Sequence, residues 1–67
     1  MPQLMIVNYV NGKRDVFRLD DNFHPVDFVK DGLLNVLGSY SSLGPCQWYY
    51  IPLVSIQNYT KQRGEVA

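Results

Sequence analysis

A chain of 67 residues makes one domain and only just a core, since a domain this short buries roughly 60% of its unfolded surface and is marginal alone. Cys46 is the only cysteine and His24 the only histidine, which excludes an intrachain disulfide, falls short of a zinc ligand set and leaves no metal or cofactor to expect. Six basic and six acidic residues cancel, removing the basic surplus that non-specific nucleic-acid binders carry.

Aromatic residues make up 13% of the chain and charged residues 18%, more adhesive surface than a monomer of this size needs, so a protein partner or self-association is expected, with unusually good packing the other way to stabilise so short a chain. No apolar run reaches the length of a membrane span. Met1 to Val7 lacks the charged start and small-residue cleavage site of a leader, and with a lone cysteine the expected compartment is the cytoplasm.

The first element is a β-hairpin over about residues 3–19. Asn11-Gly12 separates two apolar runs, and this pair tolerates the two positive φ angles of a type I′ turn. A two-residue turn there sets Val10 opposite Lys13, Asn8 opposite Asp15, Ile6 opposite Phe17 and Leu4 opposite Leu19. One face then carries Leu4, Ile6, Phe17 and Leu19, the other Met5, Val7, Tyr9 and Val16. Both are apolar, so the sheet must be covered on both sides by curling, by a helix or by another subunit.

Asp20 to Pro25 is a turn-rich connector. Beyond it the pattern forks. Val26, Val29, Leu33, Val36 and Leu37 recur at helical spacing, with Pro25 at the first helical position and Gly38 past the end. Alternatively Asp31-Gly32 is a second hairpin turn with arms Val26–Val29 and Leu34–Tyr40. Gly32 would cost a helix interior about 1 kcal/mol and suits an Asp-Gly turn, so strands are favoured. Leu43 to Cys46 is a loop, and Gln47 to Ile51 an aromatic strand broken by Pro52. One tight turn over Leu53–Ile56 precedes a last short strand, Ile56–Thr60. The domain is thus expected over residues 1–60, with 61–67 a polar tail that frays.

This order resembles the meander of the Sm-like (Hfq-type) and SH3-like small barrels. The resemblance rests on Val10-Asn11-Gly12, the Asp-Gly hairpin and the closing Tyr49 to Tyr59 segment, and covers residues 4–60 in outline. It implies a mainly β fold, a small, strongly bent antiparallel sheet or barrel of four to five strands. The alternative is an α+β fold with one helix at about residues 25–37. Sm-like proteins begin with a helix, whereas this chain starts on a strand. Tyr49-Tyr50-Ile51-Pro52 also lacks the Lys and His of the Hfq RNA-contact run, so the family's RNA-binding residues do not carry over.

No spacing spells an active site. His24 with Asp20, Asp21 and Ser39 or Ser41 offers the groups of a general base, but a loop histidine beside a proline is the simpler reading. The expectation is therefore a chain that is not an enzyme. Cys46 reads as a partly buried free thiol. Trp48, Tyr49 and Tyr50 are the strongest binding signal: alternation sends Trp48 and Tyr50 to one face and Tyr49 to the other with Ile51. Such rings suit protein hot spots, base stacking or a small core. Tyr9, Arg14 and Arg18 complete the candidate binding residues. Arg14 and Arg18 share a face and, with Lys61 and Arg63, could add a modest basic patch. The predicted function is a protein-binding, regulatory or inhibitory module, including one of phage origin, acting as a homo-oligomer through its aromatic surface. RNA binding by a small barrel is the alternative, and a ligand pocket between subunits the third.

Overall fold

The computed structural model describes residues 3–41 and 44–64, and its first hairpin joins β1 (Gln3–Tyr9) to β2 (Arg14–Leu19). The register corrects the sequence expectation by one residue: Leu4 lies opposite Arg18, Met5 opposite Phe17 and Asn8 opposite Arg14. Three residues, not two, form the loop. Tyr9 N–H donates to the Lys13 carbonyl at 2.9 Å, and Gly12 N–H to the Tyr9 carbonyl at 3.0 Å. Gly12 alone is left-handed, at φ +88°, while Asn11 keeps a negative φ. This is the three-residue closure with glycine in the bulge position, and Asn11 Oδ1 braces it by accepting the Lys13 N–H at 2.9 Å.

A one-residue slip moves every side chain to the opposite face. Met5, Val7, Phe17 and Leu19 therefore share the inner face, none more than 1% exposed, while Leu4, Ile6 and Val16 point outward.

The fork resolves to strands, and the helix over 25–37 does not form. β3 (Asp27–Lys30) and β4 (Leu33–Ser39) meet across a two-residue turn, with Lys30 opposite Leu33. Asp31 at φ 55° and Gly32 at φ 74° supply the two positive angles of a type I′ turn. Apolar hits at helical spacing arose because β4 is buried on both faces: Leu34 and Val36 enter the core while Asn35 and Leu37 are covered from outside. A strand covered on both sides reads as a continuous apolar run that matches either period.

β4 organises the sheet. β3 runs along the first half of one edge, and β2 meets the same edge at its end through Leu19–Gly38 and Arg18–Ser39. β5 (Gln47–Pro52) takes the whole other edge. Gly38 is the junction: a Cβ there would lie 2.7 Å from the Arg18 backbone oxygen and 3.3 Å from Phe17 Cβ. Only a glycine lets β2 approach this closely.

A single 3-10 turn, Leu53–Ser55, follows Pro52 as the sequence anticipates. β6 (Ile56–Arg63) then returns antiparallel to β1, with an irregularity between Asn8 and Tyr9. It runs past the expected Thr60, so Lys61 to Arg63 are strand rather than tail; residues 65–67 lie outside the described residues, as does Leu43 of the expected loop. The result is a curled antiparallel half-barrel of path β3-β4-β2-β1-β6, with β5 on β4. Its two end strands are tied by an ion pair, Lys61 Nζ to Asp27 Oδ1 at 3.0 Å. The core inside is Met5, Val7, Phe17, Leu19, Val26, Leu34, Val36 and Ile51.

Candidate functional site

Alternation along β5 divides its aromatic run. Tyr49, opposite Val36, and Ile51, opposite Leu34, face inward; Trp48, opposite Leu37, and Tyr50, opposite Asn35, face outward. β3 completes the outer face, because Phe28 also lies opposite Asn35 from the other edge. Trp48 receives two rings nearly edge-on, Phe28 with centroids 5.5 Å apart and Phe23 of the connector at 5.8 Å. Such T-shaped pairs satisfy the ring quadrupoles and hold Trp48 in place.

The patch is open. Phe28, Phe23 and Tyr50 are 37%, 45% and 61% exposed. Beneath it, Leu37 is buried, and the Asn35 amide is consumed by the carbonyls of Leu33 at 3.2 Å and Phe28 at 3.3 Å. The surface is thus a rigid three-stranded platform with aromatic rings on top.

The inner face holds a second aromatic group. Phe17, Tyr40 and Tyr49 have pairwise centroid separations of 4.7 to 5.0 Å. Tyr9 and Tyr40 both donate their hydroxyls to Asp15 Oδ2, at 2.5 and 3.3 Å. Burial, and then the neighbouring Asp15 carboxylate, push the Tyr40 phenol up to about 12 and raise that of Tyr9 further. These hydroxyls are protonated donors at neutral pH.

Of the six binding residues that the sequence suggests, only Trp48 and Tyr50 share this outer platform. Tyr49 stacks inward and Tyr9 is committed to Asp15. Arg14 Nε donates to Asn8 Oδ1 at 2.9 Å, and Arg18 reaches the carbonyls of Ser41 and Gly44 at 3.3 and 2.8 Å. Lys61 is paired with Asp27. Sequence reasoning passed over Phe23 and Phe28. Phe28 was within reach: Asp31-Gly32 fixes its register, and alternation then sets it beside Asn35. Phe23 sits in a connector without period, where no pattern places a ring.

Two depressions lie elsewhere. One of about 530 Å³ is lined by Tyr9, Asn11, Lys13, Arg14, Asp15 and Ser55 at the first hairpin's loop. The other, about 280 Å³, brings His24 beside Asp20 and Asp21, with Arg63. Ser39 does not join that histidine: it is buried and its Oγ accepts the Ser41 N–H at 3.1 Å. Among the described residues no cluster of His, Cys, Asp and Glu could hold a metal, and no helix is long and apolar enough to cross a membrane. Comparison with protein-family models, with curated proteins and with solved structures finds no match.

Proposed function

We propose that this chain is a non-enzymatic binding module that engages a protein partner through the outer platform of Phe23, Phe28, Trp48 and Tyr50, and regulates or inhibits that partner by occupying its surface. One observation carries the reading: Trp48 is locked by two edge-on rings, yet the rings around it remain exposed. A rigid aromatic anchor loses little entropy on binding and contributes large contact area. The last strand returns past a 3-10 turn to pair with the first, which leaves the outer platform on β3, β4 and β5.

RNA binding has less behind it. Base stacking needs cations nearby for phosphate. Arg14, Arg18 and Lys61 are occupied within the chain, and Lys30 is the cation on the platform's own strands. The test is affinity capture with wild type and with Phe28→Ala and Tyr50→Ala, followed by titration of the captured protein. Loss of binding with an unchanged far-ultraviolet spectrum and denaturation midpoint supports the platform. Unaltered affinity in both variants overturns it, and steeply salt-dependent RNA binding would favour the alternative.

A further inference from the structure

Among the described residues β3, β5 and β6 each have one whole edge unpaired, and they are not equivalent. β3 is four residues long, and β5 ends on Pro52. Short strands and prolines are the usual guards against edge pairing. β6 is the longest strand at eight residues and contains neither proline nor glycine. A mid-strand lysine would normally guard such an edge, but Lys61 is turned across the half-barrel to Asp27.

The direction of the β6 backbone follows from the first hairpin. Tyr9 N–H bonds to Lys13, so Tyr9, Val7 and Met5 direct their backbone groups to β2, and Asn8, Ile6 and Leu4 direct theirs to β6. Their partners Asn58, Thr60 and Gln62 are therefore satisfied by β1. Tyr59 and Lys61 point the other way, with N–H and C=O directed at the free edge.

We infer that β6 pairs antiparallel with β6 of a second copy of this chain, about a two-fold axis at Thr60. In that register Tyr59 and Lys61 of one copy exchange backbone bonds with Lys61 and Tyr59 of the other, and Thr60 faces Thr60. Alternatives are poorer: one step of two residues sets Lys61 against Lys61, like charge opposite like. The opposite step drives the ladder into the irregularity between Asn8 and Tyr9.

Side chains on the outer face fit the same axis. Arg14 donates to Asn8, and Asn8 Nδ2 donates to Asn58 Oδ1 at 2.8 Å, a polar row running across three strands to the edge. There the Asn58 NH₂ and the Gln62 amide have no partner among the described residues. Pairing about Thr60 places Asn58 opposite Gln62 of the second copy and continues the row. A neutral chain adds no net repulsion. The aromatic platform lies on β3 and β5, away from this edge, so the dimer stands whether or not the proposed function does.

The test is light scattering over a dilution series together with amide hydrogen exchange. Wild type should show twice the 7.7 kDa chain mass. Thr60→Lys and Thr60→Glu should each weaken the dimer roughly tenfold or more, and mixing the two should restore it. In wild type, the amides of Tyr59 and Lys61 should gain protection as concentration rises, while that of Thr60 is protected throughout by β1. A monomer across the series, an oligomer indifferent to both substitutions, or unprotected Tyr59 and Lys61 amides in an oligomer would each overturn the inference.

Discussion

The two faces of β5 carry the same kinds of residue to opposite ends. Inside, Tyr49 meets the fully buried Phe17 and the half-exposed Tyr40, and the hydroxyls of Tyr9 and Tyr40 converge on Asp15. Outside, Trp48 meets Phe23 and Phe28 with only loose coverage above. What separates them is the curl of the sheet, which closes over one face and leaves the other convex. Aromatic content therefore says how much adhesive surface exists, and the curl says which rings around β5 stay exposed: Phe23, Phe28 and Tyr50 outside, and Tyr40 at the inner cluster.

The comparison breaks most readily at its largest contrast. Phe17→Ala should cost about 3–5 kcal/mol, a large share of the roughly 5–15 kcal/mol available to a small domain. Phe28→Ala, which removes an exposed ring, should cost about 1 kcal/mol. Urea denaturation of both variants measures the difference. Equal losses would mean that the outer rings are structural and the platform is not spare surface.

Next in size is the joint that produces the curl. Gly38→Ala forces a methyl onto the Arg18 carbonyl at 2.7 Å, against backbone that cannot rotate away. The expected loss is about 1–3 kcal/mol by the same denaturation measurement. A neutral Gly38→Ala would mean that β2 and β4 can separate without harm, and the inner cluster would lose its explanation.

The curl also marks where the sequence stopped being legible. Asp31-Gly32 could be read correctly because its arms leave a single closure, and a type I′ turn resulted. Asn11-Gly12 fits both a two-residue turn and a three-residue loop ending in a left-handed glycine. Alternation could not choose between them, since Leu4 and Ile6 are as apolar as Met5 and Val7. Only the rest of the half-barrel decides, by burying Met5, Val7, Phe17 and Leu19 together. The split of Trp48 and Tyr50 from Tyr49 was legible from period two. Its assignment to outside and inside was not, because that depends on Gly38 admitting β2 to the β4 edge.

Asp15 sharpens the inner half of the comparison. Asp15→Asn removes the charge that Tyr9 and Tyr40 donate to and should cost about 1 kcal/mol near neutral pH. A phenol whose folded pKa is raised stabilises the fold fully below its unfolded value, near 10, and that stability is lost as pH rises towards about 12 for Tyr40. Alkaline titration followed by phenolate absorbance should show Tyr40 moving down towards its ordinary value in Asp15→Asn. Unchanged phenol titration would mean that burial alone holds these hydroxyls protonated.

Tyr50→Ala should have the smallest effect on stability and is the most telling for the outer face. Its ring is 61% exposed and, among the described residues, meets no other ring within stacking distance, so the loss should stay within about 0.5 kcal/mol. It is also the most exposed of the platform's rings, beside a Trp48 that Phe23 and Phe28 hold edge-on. A residue that costs nothing to remove from the fold but weakens partner binding separates function from stability more cleanly than Trp48, whose removal would also disturb Phe23 and Phe28. Should Tyr50→Ala instead unfold the domain, the outer face would be a second core in want of cover, and the distinction between the two sides of β5 would collapse.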